Sequence, residues 1–250
     1  MGPSRRDIGR TGRESVSVGG RLTLISREML ERNAVWSKDL LPEEVERARR
    51  GIVERTFGKG AYICHQGDRF DCWAGMISGL VKLSTVSDSG KQVSLAGLAA
   101  GAWFGEGSLL KNEPRRYDLV ALRETRLLLM DLATFNWLLA HSVGFNRFLV
   151  HQFNERLGQF IGQVENDRML DATGRVARAL ASIFNPRLNP GVGKHIAITQ
   201  EEIGLLSGLS RQVTNQSLKV LEIAGVLQAE RGGIVIRDWS DLQKYGPVAG

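Results

Sequence analysis

The sequence predicts an α+β protein in which an all-β sandwich or barrel is joined by a long helix to a winged helix-turn-helix. Three observations carry that prediction. Between Ile52 and Asp131, short apolar runs alternate with glycines. After Asp131, apolar residues recur at helical spacing, and near the C-terminus two capped helices precede a hairpin. The 250 residues suffice for two ordinary domains.

Residues 1–20 are rich in glycine and arginine and poor in bulky apolar side chains, so a disordered tail is expected there. From Leu22 to Arg50 the pattern is helical, and Leu40-Leu41-Pro42-Glu43-Glu44 reads as a helix start, with proline and acids in the first turn. The β region follows. Ala61-Tyr62-Ile63-Cys64, Leu80-Val81-Lys82-Leu83, Val93-Ser94-Leu95 and Leu127-Leu128-Leu129-Met130 are strand-length runs, with turn signals at Gly67-Asp68 and Ser89-Gly90. Beyond it, Val150, Phe153, Leu157, Phe160 and Val164 are spaced 3, 4, 3, 4. That is a heptad seam on a helix whose flanks (Gln152, Asn154, Glu155, Arg156, Gln159, Gln163) are polar. A long helix with one apolar edge needs a partner, either a second copy of the chain or the core of its own.

Asp171 can cap a helix from Ala172 to Phe184, which Asn185-Pro186 ends. After a loop and a short strand at 195–198, Thr199-Gln200-Glu201-Glu202 forms a capping box. Gly208 permits a tight turn, Ser210 caps a second helix with Val213, Leu218 and Leu221 as its apolar positions, and Ala224-Gly225 closes it. Leu227-Gln228, the turn Arg231-Gly232-Gly233 and Ile234-Val235-Ile236 complete a wing. Such a unit places its second helix in the major groove of double-stranded DNA. The candidate DNA contacts are Thr199, Ser210, Arg211, Gln212, Thr214, Asn215, Gln216 and Lys219. Arginine forks onto guanine, Gln and Asn pair with adenine, and Lys and Ser hold phosphate. A formal charge of +6 suits the same polyanionic partner.

Other classes find little support. No apolar run approaches the roughly 20 residues needed to span a bilayer, and the N-terminus lacks the core of a secretory signal. No membrane association is expected, and the cytoplasm is the expected location. The two cysteines, Cys64 and Cys72, are expected to be unpaired and structural, and no Cys/His spacing fits zinc or an iron–sulfur cluster.

Taken in order, Phe57-Gly58-Lys59-Gly60, Gln66-Gly67-Asp68, Ile77-Ser78-Gly79-Leu80-Val81-Lys82-Leu83, Gly101-Ala102-Trp103-Phe104-Gly105-Glu106, Thr199-Gln200-Glu201-Glu202-Ile203-Gly204, Gly208-Leu209-Ser210-Arg211-Gln212 and Leu221-Glu222 resemble the cyclic-AMP receptor protein and fumarate–nitrate regulator (CRP/FNR) superfamily over residues 40–237. The resemblance implies an N-terminal double-stranded β-helix (jelly roll) serving as sensor domain at 21–131, a dimerisation helix at 132–170 and a winged helix-turn-helix at 171–250. It further implies a homodimeric transcription regulator reading a near-palindromic operator, with RNA polymerase as a protein partner. In nucleotide-binding members a Phe-Gly-Glu motif opens a short helix that cradles phosphate. On that pattern Glu106 takes a ribose hydroxyl, Gly107 and Ser108 offer amides and Arg116 takes the phosphate of a nucleotide effector such as cyclic AMP or cyclic di-GMP. Tyr117, another candidate contact, and Asp118 stand where those members have Ser or Thr and then Ala. Phe160-Ile161 falls on the long-helix Thr-Ser pair of the cyclic-AMP receptor, and Gln212 and Gln216 replace charged members of an Arg-Glu-x-x-x-Arg reading triple. Two alternatives stay open: a regulator that keeps the sensor fold only as a dimer scaffold, and a cupin-like metalloenzyme. The latter needs a histidine-rich triad, whereas only His65 of the four histidines lies in the β region.

Overall fold

The computed structural model describes residues 23–86, 92–166 and 171–245. The expected tail and the Ser89-Gly90 turn lie outside them. The chain opens with β1 (Thr23–Leu24), α1 (Arg27–Asn33), a 3-10 turn at Val35–Asp39 and α2 (Pro42–Arg50). Eight β-strands of the jelly roll then follow: β2 (Ile52–Phe57), β3 (Tyr62–Cys64), β4 (Cys72–Ser78), β5 (Val81–Val86), β6 (Gln92–Leu98), β7 (Trp103–Phe104), and, after the short helix α3 (Glu106–Lys111), β8 (Asp118–Ala121) and β9 (Thr125–Asp131). Together with β1 they form two sheets, ordered β1-β2-β9-β4-β7 and β3-β8-β5-β6.

The run Leu127–Met130 shows how the layers are built. Leu127 and Leu129 point between the sheets, packing with Phe57, Met76, Phe104 and Leu119. Leu128 and Met130 point to the opposite face, against helices, beside Trp36, Trp73, Trp103 and Phe135. A strand buried on both faces reads as a continuous apolar run instead of an alternating one. Replacing such a side chain with alanine costs about 2–5 kcal/mol.

The resemblance implies one dimerisation helix at 132–170, but the structure divides the described part of it into α4 (Leu132–His141) and α5 (Val143–Asn166). The break has a local cause. Buried Ser142 is extended; its Oγ accepts from the Phe145 amide at 3.2 Å and donates to Glu44 Oε2 at 2.9 Å. Glu44 also accepts from the Leu41 amide, capping α2, so one carboxylate fixes both helix entries.

The C-terminal domain comprises α6 (Ala172–Ile183), β10 (His195–Ile196), α7 (Gln200–Ser207), α8 (Arg211–Ile223), β11 (Leu227–Glu230), β12 (Gly233–Ile236) and α9 (Trp239–Lys244). Its core of Val176, Leu180, Ile203, Leu218, Leu221 and Ile234 is continuous with Leu80, Ala99 and Leu122 of the jelly roll. The two domains therefore share a buried interface.

Candidate nucleic-acid interface and effector cradle

Local chemistry sets the α7–α8 turn. Thr199 Oγ1 accepts from the Glu202 amide while Glu202 Oε2 accepts from the Thr199 amide at 2.7 Å, closing the capping box. Gly208, at φ +66°, ends α7 in a left-handed conformation, and Arg175 Nη2 donates to the Ser207 carbonyl there. Ser210 Oγ then accepts from the Val213 amide to start α8. With the turn held at both ends, Arg211, Gln212, Gln216 and Lys219 stand exposed on one side of α8, and Asn215 is half-buried. Thr214 departs from expectation. It is fully buried against Gly204, and its hydroxyl donates to the Ser210 carbonyl at 2.9 Å, so it packs α8 onto α7 and offers nothing to a base. Thr199 and Ser210 are exposed, but their hydroxyls are engaged as caps.

The cradle also differs from the reading of the sequence. Glu106, at the start of α3, is buried and held by protein groups: Trp73 Nε1 donates to Oε2 at 3.1 Å, and Arg156 Nη1 of α5 pairs with Oε1 at 2.8 Å. Arg116 is not in the cradle. Its side chain is 73% exposed and paired with Glu113. The neighbouring Arg115 is the interior arginine, 1% exposed. Its guanidinium donates to the carbonyls of Gly105 (2.6 Å), Cys72 (2.8 Å) and Phe70 (3.1 Å), leaving Nε buried without a hydrogen-bond partner. The guanidinium fits because Gly105 has no Cβ and sits at φ +100°; a side chain there would strike it. Gly107 faces open space, and Ser108 is half-buried. Tyr117 packs into the intersheet core, where burial pushes its phenol above the usual range and the negative charge of Glu106 adds to that, against the opposing charges of Arg115 and Arg156. Burial likewise pushes the Cys64 thiol up to about 12 and the Cys72 thiol up to about 11, and both are free.

Comparison with known proteins agrees with both halves. Residues 54–142 match the cyclic nucleotide-binding domain family, and residues 174–245 match the Crp-like helix-turn-helix domain family. The chain is 29% identical over 205 residues to the cyclic AMP receptor protein of Thermus thermophilus, covering 82% of this chain and 93% of that one. It belongs to the CRP/FNR superfamily. A second relative, the cAMP-activated global transcriptional regulator CRP of Haemophilus influenzae, is 29% identical over 177 residues, 70% of this chain and 79% of the relative. The solved structure of FixK2 from Bradyrhizobium japonicum shares the fold, with a TM-score of 0.63 at 20% identity over 80% of this chain and 99% of that one. So does the c-di-GMP responsive regulator CLP of Xanthomonas campestris, with a TM-score of 0.55 at 22% identity over 78% of this chain and 99% of that one. This CRP/FNR protein is thus a DNA-binding transcription regulator that carries a cyclic nucleotide-binding domain. Among the described residues no helix is long and apolar enough to cross a membrane.

Two elements of the CRP/FNR regulator's site escaped the sequence reading. Arg156 was legible only as a polar flank of the heptad, yet it joins the cradle to α5 and also donates to the Trp103 carbonyl, as Gln152 does. Arg115 and Arg116 both lie near the expected distance from Glu106, and only burial separates them. The apolar edge of α5 is exposed among the described residues: Val150, Phe153, Leu157 and Phe160 are 64%, 38%, 57% and 60% exposed. The side chain of Val164 lies outside the described residues.

Proposed function

We propose that this regulator works as a homodimer joined along α5, reads a near-palindromic operator with Arg211, Gln212 and Gln216 of α8, and is modulated by a phosphate-bearing nucleotide at Arg115. The observation that carries the reading is the pairing of two exposed surfaces: a polar row on α8 with base-reading chemistry, and an apolar edge on α5 that no described residue covers. On this reading RNA polymerase is a protein partner, and the regulator works in the cytoplasm. In the cradle, the buried unpartnered Arg115 Nε fits an anion, and the Gly107 and Ser108 amides in the first turn of α3 would serve the same ligand.

The test is operator selection followed by binding titrations. Arg211→Ala is expected to cost about 1–3 kcal/mol of specific binding and relax preference at one base pair per half-site. Lys219→Ala is expected to weaken all sequences alike and shallow the salt dependence. Unchanged operator selectivity in Arg211→Ala would overturn the assignment of the reading helix.

One observation favours a second reading, a regulator that uses the sensor fold as a scaffold alone. Both Glu106 oxygens already hold protein donors, and the terminal nitrogens of Arg115 already serve backbone carbonyls. A cradle satisfied from within has less reason to take a ligand.

A further inference from the structure

The shared interface between the domains is polar as well as apolar, and one residue makes three of its hydrogen bonds. Arg123 lies in the turn between β8 and β9. Its Nε and Nη2 fork onto both carboxylate oxygens of Glu202 at 2.9 and 2.7 Å, and its Nη1 donates to the Ala197 carbonyl at 2.5 Å. Glu202 is the capping-box acid of α7, so a side chain of the jelly roll grips the residue that starts the helix-turn-helix. Around this fork the contact is close. Ser94 Oγ donates to the Leu205 carbonyl, the Ala99 amide to Asn189 Oδ1 at 2.9 Å, and the Gly191 amide to the Ala100 carbonyl at 3.1 Å. A Cβ at Gly97 would fall 3.0 Å from Ile183 and 3.1 Å from Leu206, so β6 and the α6–α7 pair are packed without slack. Glu155 of α5 accepts from Asn185 and Arg187 on another side. None of these contacts covers the reading edge of α8, which remains exposed.

We infer that Arg123 is a positioning residue for DNA recognition: by holding Glu202, it fixes the orientation of the helix-turn-helix on the jelly roll, and so the placement of α8 for its half-site. A two-half-site operator rewards reading helices already set at the right attitude, because a loosely held domain loses orientational freedom when it binds. Nonspecific binding makes no such demand. The fork is bidentate, and its carboxylate is buried, which distinguishes it from an exposed ion pair of little consequence.

The experiment is a double-mutant cycle in the full-length protein, reading operator affinity, nonspecific affinity and salt dependence. Arg123→Ala is expected to weaken operator binding about tenfold while leaving nonspecific affinity, dimer state and the salt slope unchanged. Arg123→Lys, which keeps the charge and loses the fork, is expected to fall between that variant and wild type. Glu202→Gln preserves capping-box chemistry, because glutamine also serves at that position. In its background, adding Arg123→Ala is expected to change operator affinity less than about twofold. Additive losses, or a salt slope shallower by about one unit, would show Arg123 touching phosphate directly and overturn the assignment. Wild-type or increased operator affinity in Arg123→Ala would overturn it too, the increase by making the docked arrangement inhibitory.

Discussion

At Arg115-Arg116, two adjacent residues of the same type have opposite fates, one threaded between the carbonyls of Gly105, Phe70 and Cys72 and the other paired with Glu113 in solvent. Their spacing from Glu106 does not separate them, because both lie in the loop before β8, and the path of that loop decides which of the two side chains turns inward. Thr214 departs from its side-chain type for a similar reason. Its side-chain type suits a base edge, but helical phase turns it toward Gly204. The cysteines were legible from composition, and their environment now yields a test. The unfolded thiol titrates near 9.0, whereas folding moves Cys64 to about 12 and Cys72 to about 11 by desolvation. Folded-state stability from these thiols is therefore complete below pH 9 and declines as pH rises through the window up to 12, where only the unfolded chain gives up its protons. At pH 8 both should resist iodoacetamide in the native protein and react promptly in denaturant. Rapid native alkylation of Cys64, followed by mass spectrometry, would contradict the burial described.

Capped elements were read nearly to the residue. Thr199, Ser210 and Asp171 each cap the helix expected, because a cap is a contact between residues three apart and needs no tertiary information. The break at Ser142 has a local half, the cap on the Phe145 amide three residues on, and a half the sequence does not show, the bond to Glu44 98 positions away. Helix α5 combines both kinds of information. Its apolar edge was visible as a heptad, while the inward face, where Gln152 and Arg156 reach the Trp103 carbonyl, was visible only as polarity. If the edge is a dimer seam, Phe153→Glu combined with Leu157→Glu should give monomers at micromolar concentration. Those monomers should retain the cooperative unfolding of the jelly roll and lose specific DNA binding, since both side chains point away from the chain's own core. Sedimentation showing that the wild type is already monomeric would refute the seam.

Across the whole molecule, a ligand can matter only if it binds two arrangements unequally. The structure offers a route for such a difference. The cradle acid Glu106 is bonded to Arg156 on α5, the loop that holds Arg115 leads into β8, β8 ends at the turn that carries Arg123, and Arg123 holds the helix-turn-helix. On the resemblance to nucleotide-binding members, the long-helix positions that would meet the base are less favourable. Phe160 and Ile161 of α5 are apolar and can neither donate to nor accept from a purine edge. A phosphate-bearing ligand would therefore be anchored at Arg115 and weakly read at its base, so cyclic AMP is expected to bind with little effect on operator affinity. Calorimetry with cyclic AMP and cyclic di-GMP, on wild type, Arg115→Ala and Arg116→Ala, separates the outcomes. Any binding should be lost in Arg115→Ala and retained in Arg116→Ala, since only the first arginine is in the cradle. A cyclic AMP complex that raised operator affinity tenfold, about 1.4 kcal/mol of coupling, would refute the weak-base argument. Absence of binding by either nucleotide would favour the scaffold reading, in which Arg156 and the three backbone carbonyls have already taken the place of the ligand.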